Sequence, residues 1–128
     1  MNRAVVGLCV LALLASGNLA LAQTRIEYKT VAEARATLLA KPGATSQDES
    51  GWLVVNDANV MWTFAPEGHE ASPAVVRRQI VEQDGRLFIH TELMCEGSKE
   101  PCDRLHKTFE DLNAQMIKAM EEAAKSSQ

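Results

Sequence analysis

The feature that most constrains the fold of this chain is the dipeptide Asp84-Gly85, which separates two stretches rich in β-branched and aliphatic residues, 75–83 and 86–95. Asp-Gly favours the positive φ angles of a two-residue turn, and such a turn between apolar stretches is the strongest short-range indication of a β-hairpin. The sequence therefore predicts two long antiparallel strands, and the turn fixes which of their residues face each other.

Both sides of this predicted hairpin carry apolar side chains, because residues that face each other across the ladder share a side of the sheet. Strand alternation sends Arg77 and Arg78 to opposite sides, so the pair does not indicate an anion site. One side carries Ile80/Ile89 and Val76/Leu93, and the other carries Val81/Phe88, Val75/Met94 and the opposite-charge pair Arg77/Glu92.

A second hairpin is predicted earlier in the chain, where residues 52–55 and 60–64 flank the turn-forming run 56–59. Residues 44–50 are small and polar and predict a loop, as do residues 65–74 with their prolines and glycine. Alternation places Leu53, Val55, Val60, Trp62 and Phe64 on one side of this hairpin, and Trp52, Val54 and Met61 on the other.

A helix is predicted at each end of the two hairpins. Thr30 and Glu33 form a capping box, and Lys41-Pro42-Gly43 ends the short helix that follows. From Pro101 to about residue 124 the spacing of apolar residues by three and four predicts a longer helix that buries one face. That apolar stripe is Leu105, Phe109, Leu112, Met116, Ala119 and Met120.

We therefore predict an α+β fold in which a four-stranded antiparallel sheet, made of two hairpins, is flanked by an N-terminal and a C-terminal helix. The helices either cover opposite faces of the sheet, or share one face and leave an apolar patch on the other for a partner or ligand. The first helix has only a thin apolar stripe, formed by Val31, Ala34, Leu38 and Leu39. This stripe leaves both arrangements open, and we favour an incompletely covered second face.

Residues 1–22 are typical of a secretory signal peptide. Arg3 precedes an apolar run over residues 4–15, and Ala20-Leu21-Ala22 places small residues before a cleavage site. A membrane-spanning helix is the alternative, but Ser16-Gly17-Asn18 ends the run well short of the ~20 residues that span a bilayer. We expect a single domain over 23–128, exported to the periplasm or outside the cell, with no stable membrane anchor after cleavage.

Two cysteines, Cys95 and Cys102, lie in the predicted domain, and an even pair in an exported chain predicts a disulfide. A metal site formed by these cysteines with His90 and His106 is the alternative, but its ligand spacing is irregular. The segments His90-Thr91-Glu92 and Pro101-Cys102 resemble the metal-binding segments of zinc deaminases. The second cysteine of those enzymes, three residues after the first, is missing, because Leu105 stands in its place. We expect no metal and no cofactor.

The net charge and the absence of known catalytic motifs argue against further classes of function. A formal net charge of −4 argues against a nucleic-acid partner, which requires a basic surface. The chain has no Gly-x-Ser-x-Gly, His-Glu-x-x-His or phosphate-loop motif. His69 lies beside carboxylates in a predicted loop, where an imidazole can act as a base or a weak metal ligand, but no motif places a nucleophile near it.

The chain resembles small secreted or periplasmic proteins of Gram-negative bacteria whose function is unassigned. The likeness rests on the signal peptide, the short capped helix, residues 60–69 and 73–78, and the late cysteine pair. It implies an exported α+β domain and assigns no catalytic residues.

The leading functional hypothesis is an exported, non-enzymatic binding or protein-interaction module, because apolar side chains lie on both sheet faces and no catalytic motif is present. A protein partner or self-association is expected. One alternative is a small periplasmic hydrolase or metal-dependent enzyme that uses His69 or His90; another is a structural homodimer without a ligand. The candidate binding residues, of which the first four would form one contact surface, are Trp52, Met61, Phe88, Met94 and His69.

Overall fold

The computed structural model describes residues 25–127, so the predicted signal peptide lies outside the described residues. Five strands form one antiparallel sheet in which each strand pairs with the next in sequence. The predicted α+β class and antiparallel sheet are confirmed, but the sheet has five strands and not four. In chain order the elements are α1 (Val31–Leu39), β1 (Thr45–Glu49), β2 (Trp52–Asp57), β3 (Val60–Phe64), β4 (Ala74–Gln83), β5 (Arg86–Cys95) and α2 (Lys99–Ser126).

The additional strand is β1, which lies in the segment predicted as a loop. All five of its residues are exposed, so it lacks the apolar alternation by which a strand is recognised in sequence. Its backbone pairs with β2 from Thr45↔Asn56 to Glu49↔Trp52. An edge strand needs only this ladder, and polar side chains on an edge discourage pairing with other chains.

The predicted register of the second hairpin is confirmed from Gln83↔Arg86 to Val75↔Met94. Asp84 and Gly85 have φ angles of 53° and 76°, as a two-residue turn of this kind requires. The turn of the first hairpin is shorter than predicted, because the backbones of Asn56 and Asp57 pair with β3 and so extend β2.

Both helices are present, and their ends differ from the predictions by a few residues. The Thr30 side chain accepts a hydrogen bond from the Glu33 amide at 3.0 Å, whereas the Glu33 carboxylate accepts from the amide of Lys29 and not from that of Thr30. The second helix begins at Lys99, before Pro101, and extends to Ser126. Of its predicted apolar stripe, Leu105 and Phe109 are buried and Leu112 is 42% exposed.

The two helices cover opposite faces of the sheet. On the α1 face, the buried helix residues Val31, Ala34 and Leu38 pack against Val55, Trp62, Phe64 and Val75. On the α2 face, Leu105 and Phe109 pack with Val76, Trp52 and Leu93. The arrangement in which both helices share one face is therefore wrong, although α1 covers its face only in part and leaves Phe88 44% exposed.

Candidate functional site

The four residues predicted to form one contact surface lie on two different faces. Met61 faces Arg78 across the β3–β4 ladder and Trp62 faces Arg77, so Trp52 and Met61 belong to the α2 face. Phe88 and Met94 belong to the α1 face, where Met94 packs against the core. The prediction of a single patch is wrong, because each turn fixes the register within its own hairpin and neither fixes the register between the two hairpins.

A cavity of about 350 Å³ lies between α2 and the half of the sheet that ends at the edge strand β1. Three rings line it: the ring centroids of Trp52 and Phe109 are 6.1 Å apart, and the His69 ring lies edge-on to Trp52 at 5.0 Å. Val54, Leu105 and Leu112 add aliphatic side chains to the lining. Leu105 and Phe109 are buried and hold α2 against the sheet, whereas Leu112 is 42% exposed. The helix therefore covers this part of the sheet but leaves the space beneath it open.

Arg78 enters this cavity from β4. Its guanidinium carbon lies 4.9 Å from the centroid of the Phe109 ring, and its Nη2 lies 3.0 Å from the Met61 sulfur. Its Nη1 donates to Asn113 Oδ1 at 3.4 Å, and Asn113 is oriented by donating to the Thr91 hydroxyl at 2.6 Å. All of these contacts are with neutral groups.

The Arg78 charge has no paired carboxylate in the part of the chain that the structure describes. Burial lowers the pKa of its guanidinium below the ordinary value, and the Glu49 carboxylate offsets only part of this shift. An arginine stays protonated at neutral pH, so the cavity wall carries a half-buried positive charge. Its Nε is also buried without a hydrogen-bond partner among the described residues.

Thr63 also lines the cavity and is only 5% exposed. Its hydroxyl has no hydrogen-bond partner within residues 25–127. Thr63 lies on β3 two residues from Met61, which faces Arg78, so the two polar side chains are diagonal neighbours on one sheet face. A buried polar group without a partner costs about 1–3 kcal/mol, so two in one cavity require an explanation.

The rim of the cavity carries charges of both signs. Arg104 donates to both oxygens of Glu70, at 2.8 and 3.0 Å. This hydrogen bond lowers the pKa of the Glu70 carboxyl and raises that of Arg104. Glu49 accepts from Gln47 Nε2 at 2.5 Å. With Arg78, the charged lining comprises two arginines and two glutamates.

The loop histidine His69 lies at this cavity, beside Trp52. Its Nδ1 accepts a hydrogen bond from the Ala71 amide at 3.0 Å. In the neutral ring this bond places the proton on Nε2, which then acts as a donor. His69 is therefore the one predicted binding residue that the structure brings together with Trp52.

The other histidines lie elsewhere. His90 is exposed on the α1 face, and His106 is exposed on α2 with its Nδ1 3.5 Å from Glu110. Cys95 and Cys102 are bonded to each other, as predicted, with their sulfurs 2.02 Å apart. Within the described range, no group of three or more histidine, cysteine or acidic side chains could hold a metal ion.

Sequence reasoning missed Arg78 and Thr63 as site residues. A signal for Arg78 existed, because alternation placed it on the same side of its strand as Val76 and Ile80. A charged side chain on an otherwise apolar face is unusual and often functional. The sequence contained no comparable signal for Thr63, since threonine is common in strands.

None of the helices in the described part of the chain is both long enough and apolar enough to cross a membrane. Comparison of the chain with models of protein families, with curated proteins and with solved structures finds no match. The geometry of the cavity is therefore the basis on which its function is inferred.

Proposed function

We propose that the protein is an exported, non-enzymatic binding module and that the cavity between α2 and the sheet is its binding site. The observation that carries the proposal is a cavity of about 350 Å³ that is lined by the rings of Trp52 and Phe109 and by the half-buried Arg78. Small-molecule sites have volumes of about 300–1,000 Å³ and combine apolar walls with a few placed polar groups. The Cys95–Cys102 bridge is compatible with export.

The geometry of His69 favours binding over general-base catalysis. A neutral imidazole that abstracts a proton needs an accepting nitrogen directed at the substrate. In this loop the accepting nitrogen, Nδ1, is already used by the Ala71 amide. His69 instead presents a donor and an aromatic edge to a ligand.

The proposal is tested with N-phenyl-1-naphthylamine, an uncharged fluorescent probe whose emission rises in apolar surroundings. Leu112→Trp adds bulk at the mouth of the cavity, at a position that is 42% exposed and so tolerates it. We expect the probe to bind the unmodified protein and to bind Leu112→Trp severalfold more weakly. The measurement is a fluorescence titration, with circular dichroism to establish that the variant is folded.

Leu39→Trp is the matched control, because Leu39 is a similarly exposed leucine, at 49%, on the helix of the opposite face. It should bind the probe as the unmodified protein does. Equal binding by all three proteins would place the probe elsewhere and overturn the assignment of the cavity. Absence of binding to the unmodified protein would overturn the proposed function itself.

A further inference from the structure

The chemistry of the cavity narrows the class of ligand, and this step rests on the proposed function. The first observation is that Arg78 forms no ion pair within residues 25–127, where its partners are an amide oxygen, a thioether and an aromatic ring. A cation removed from water is stabilised most by an anion that hydrogen-bonds to it. A carboxylate matches the planar guanidinium, which can donate to both of its oxygens.

The second observation is the hydroxyl of Thr63, which is buried and has no partner among residues 25–127. A hydroxyl can donate to a carboxylate oxygen while the neighbouring guanidinium donates to the same group. The unpartnered Nε of Arg78 is a further donor in the same region. One anionic head group would thus supply acceptors to donors that have no partner in the described part of the chain.

The third observation is the charge balance of the lining. Arg104 is already paired with Glu70, which leaves Arg78 facing the field of Glu49. A dianion such as a phosphate monoester would meet one available cation, Arg78, together with the nearby carboxylate of Glu49. A monoanion matches the single positive charge of Arg78. The aromatic and aliphatic walls, formed by Trp52, Phe109 and Val54, would then contact an apolar body attached to that head.

We propose that the cavity binds a monocarboxylate with an apolar body, with its carboxylate held by Arg78 and Thr63 and its body held between Trp52 and Phe109. The ligand is thus an amphipathic acid of fatty or aromatic type.

The test compares octanoate with 1-octanol by isothermal titration calorimetry, using purified protein with its disulfide intact. The two molecules share a chain length and differ in the charge of the head group. We expect octanoate to bind about tenfold or more tightly than octanol, because a hydrogen bond to a charged group contributes more than a neutral one. Equal affinities would overturn the monocarboxylate inference and leave the proposed function standing.

Two variants test whether Arg78 is the residue that binds the carboxylate. Arg78→Gln should weaken octanoate binding about tenfold to a hundredfold and leave octanol binding nearly unchanged. Arg35→Gln removes the same charge from an exposed position on α1, on the other face, and should bind octanoate normally. Equal octanoate affinity in Arg78→Gln and the unmodified protein would overturn the role of Arg78.

Thr63→Val keeps the shape of the side chain and removes its hydroxyl. It should weaken octanoate binding about threefold to tenfold without lowering the stability, because the hydroxyl has no partner to lose in the described structure. If Arg78→Gln fails to fold, Thr63→Val and the octanoate–octanol comparison still decide the matter. If the uncharged probe does not bind, the proposed function fails and the inference fails with it; if the probe binds and octanoate does not, only the inference fails.

Discussion

Gly97 is the residue at which side-chain size is most tightly limited near the disulfide. A Cβ atom at this position would lie 2.8 Å from the carbonyl oxygen of Ala71 and 3.1 Å from its carbonyl carbon. These are backbone atoms, so no side-chain rotation relieves the contact. We expect Gly97→Ala to lower the free energy of unfolding by about 1–3 kcal/mol, measured by urea denaturation.

Gly68→Ala is the control for this prediction. Gly68 lies in the neighbouring loop, has an ordinary φ, and a Cβ there would meet nothing within 4 Å. Its unfolding free energy should stay within about half a kcal/mol of that of the unmodified protein. Equal losses in the two variants would show that any alanine in this region is destabilising and that the Gly97–Ala71 approach is not the cause.

Individual residues also show where reasoning from sequence reaches its limit. The turn chemistry of Asp84-Gly85 determined the complete register of β4 and β5, because a two-residue turn leaves one pairing. The environment of Arg78 could not be obtained in this way. Its ring and amide partners, Phe109 and Asn113, come from α2, and their position depends on how that helix is rotated over the sheet.

At the scale of elements, local signals predicted those elements that have an amphipathic pattern or a turn motif. The polar strand β1 has neither, and it forms because β2 offers a free ladder of backbone groups. Periodicity also overstated the burial of α2. The apolar spacing continues to Met120, but the buried residues of the helix are Leu105 and Phe109, and beyond them the polar Asn113 contacts the sheet by donating to Thr91.

Phe109 is therefore the residue on which the attachment of α2 depends most. It is 5% exposed and contacts both Trp52 and Arg78. We expect Phe109→Ala to lower the free energy of unfolding by about 3 kcal/mol. This is the low end of the usual range, because the space left behind merges with a cavity that already exists. Chemical denaturation followed by circular dichroism measures the loss.

Lys107→Ala serves as the control on the solvent side of the same helix. Lys107 is exposed, and its ion pair with Asp111 lies on the helix surface. Surface pairs of this kind contribute little, so the change should stay within about half a kcal/mol. Comparable losses from Phe109→Ala and Lys107→Ala would mean that the helix is rotated differently over the sheet.

At the scale of the whole molecule, the Cys95–Cys102 bridge joins the last residue of β5 to the first turn of α2. It thereby ties the helix to the sheet on the face that carries the cavity. The bridged residues are separated by seven positions, and the chain-entropy model gives a loop of this size about 2.5 kcal/mol of stabilisation. For a helix with two buried residues, that is a large share of what holds it in place.

We expect reduction of this bridge to lower the melting temperature by about 10 °C or more in differential scanning calorimetry. The oxidised protein should be about two daltons lighter than the reduced protein by mass spectrometry, which establishes that the bond was present. A Cys95→Ala/Cys102→Ala variant should melt near the reduced protein and be insensitive to reductant. If reduction released two thiols without changing the melting temperature, the packing of Leu105 and Phe109 would by itself hold α2 on the sheet. The bridge would then contribute nothing measurable to the stability of the attached helix.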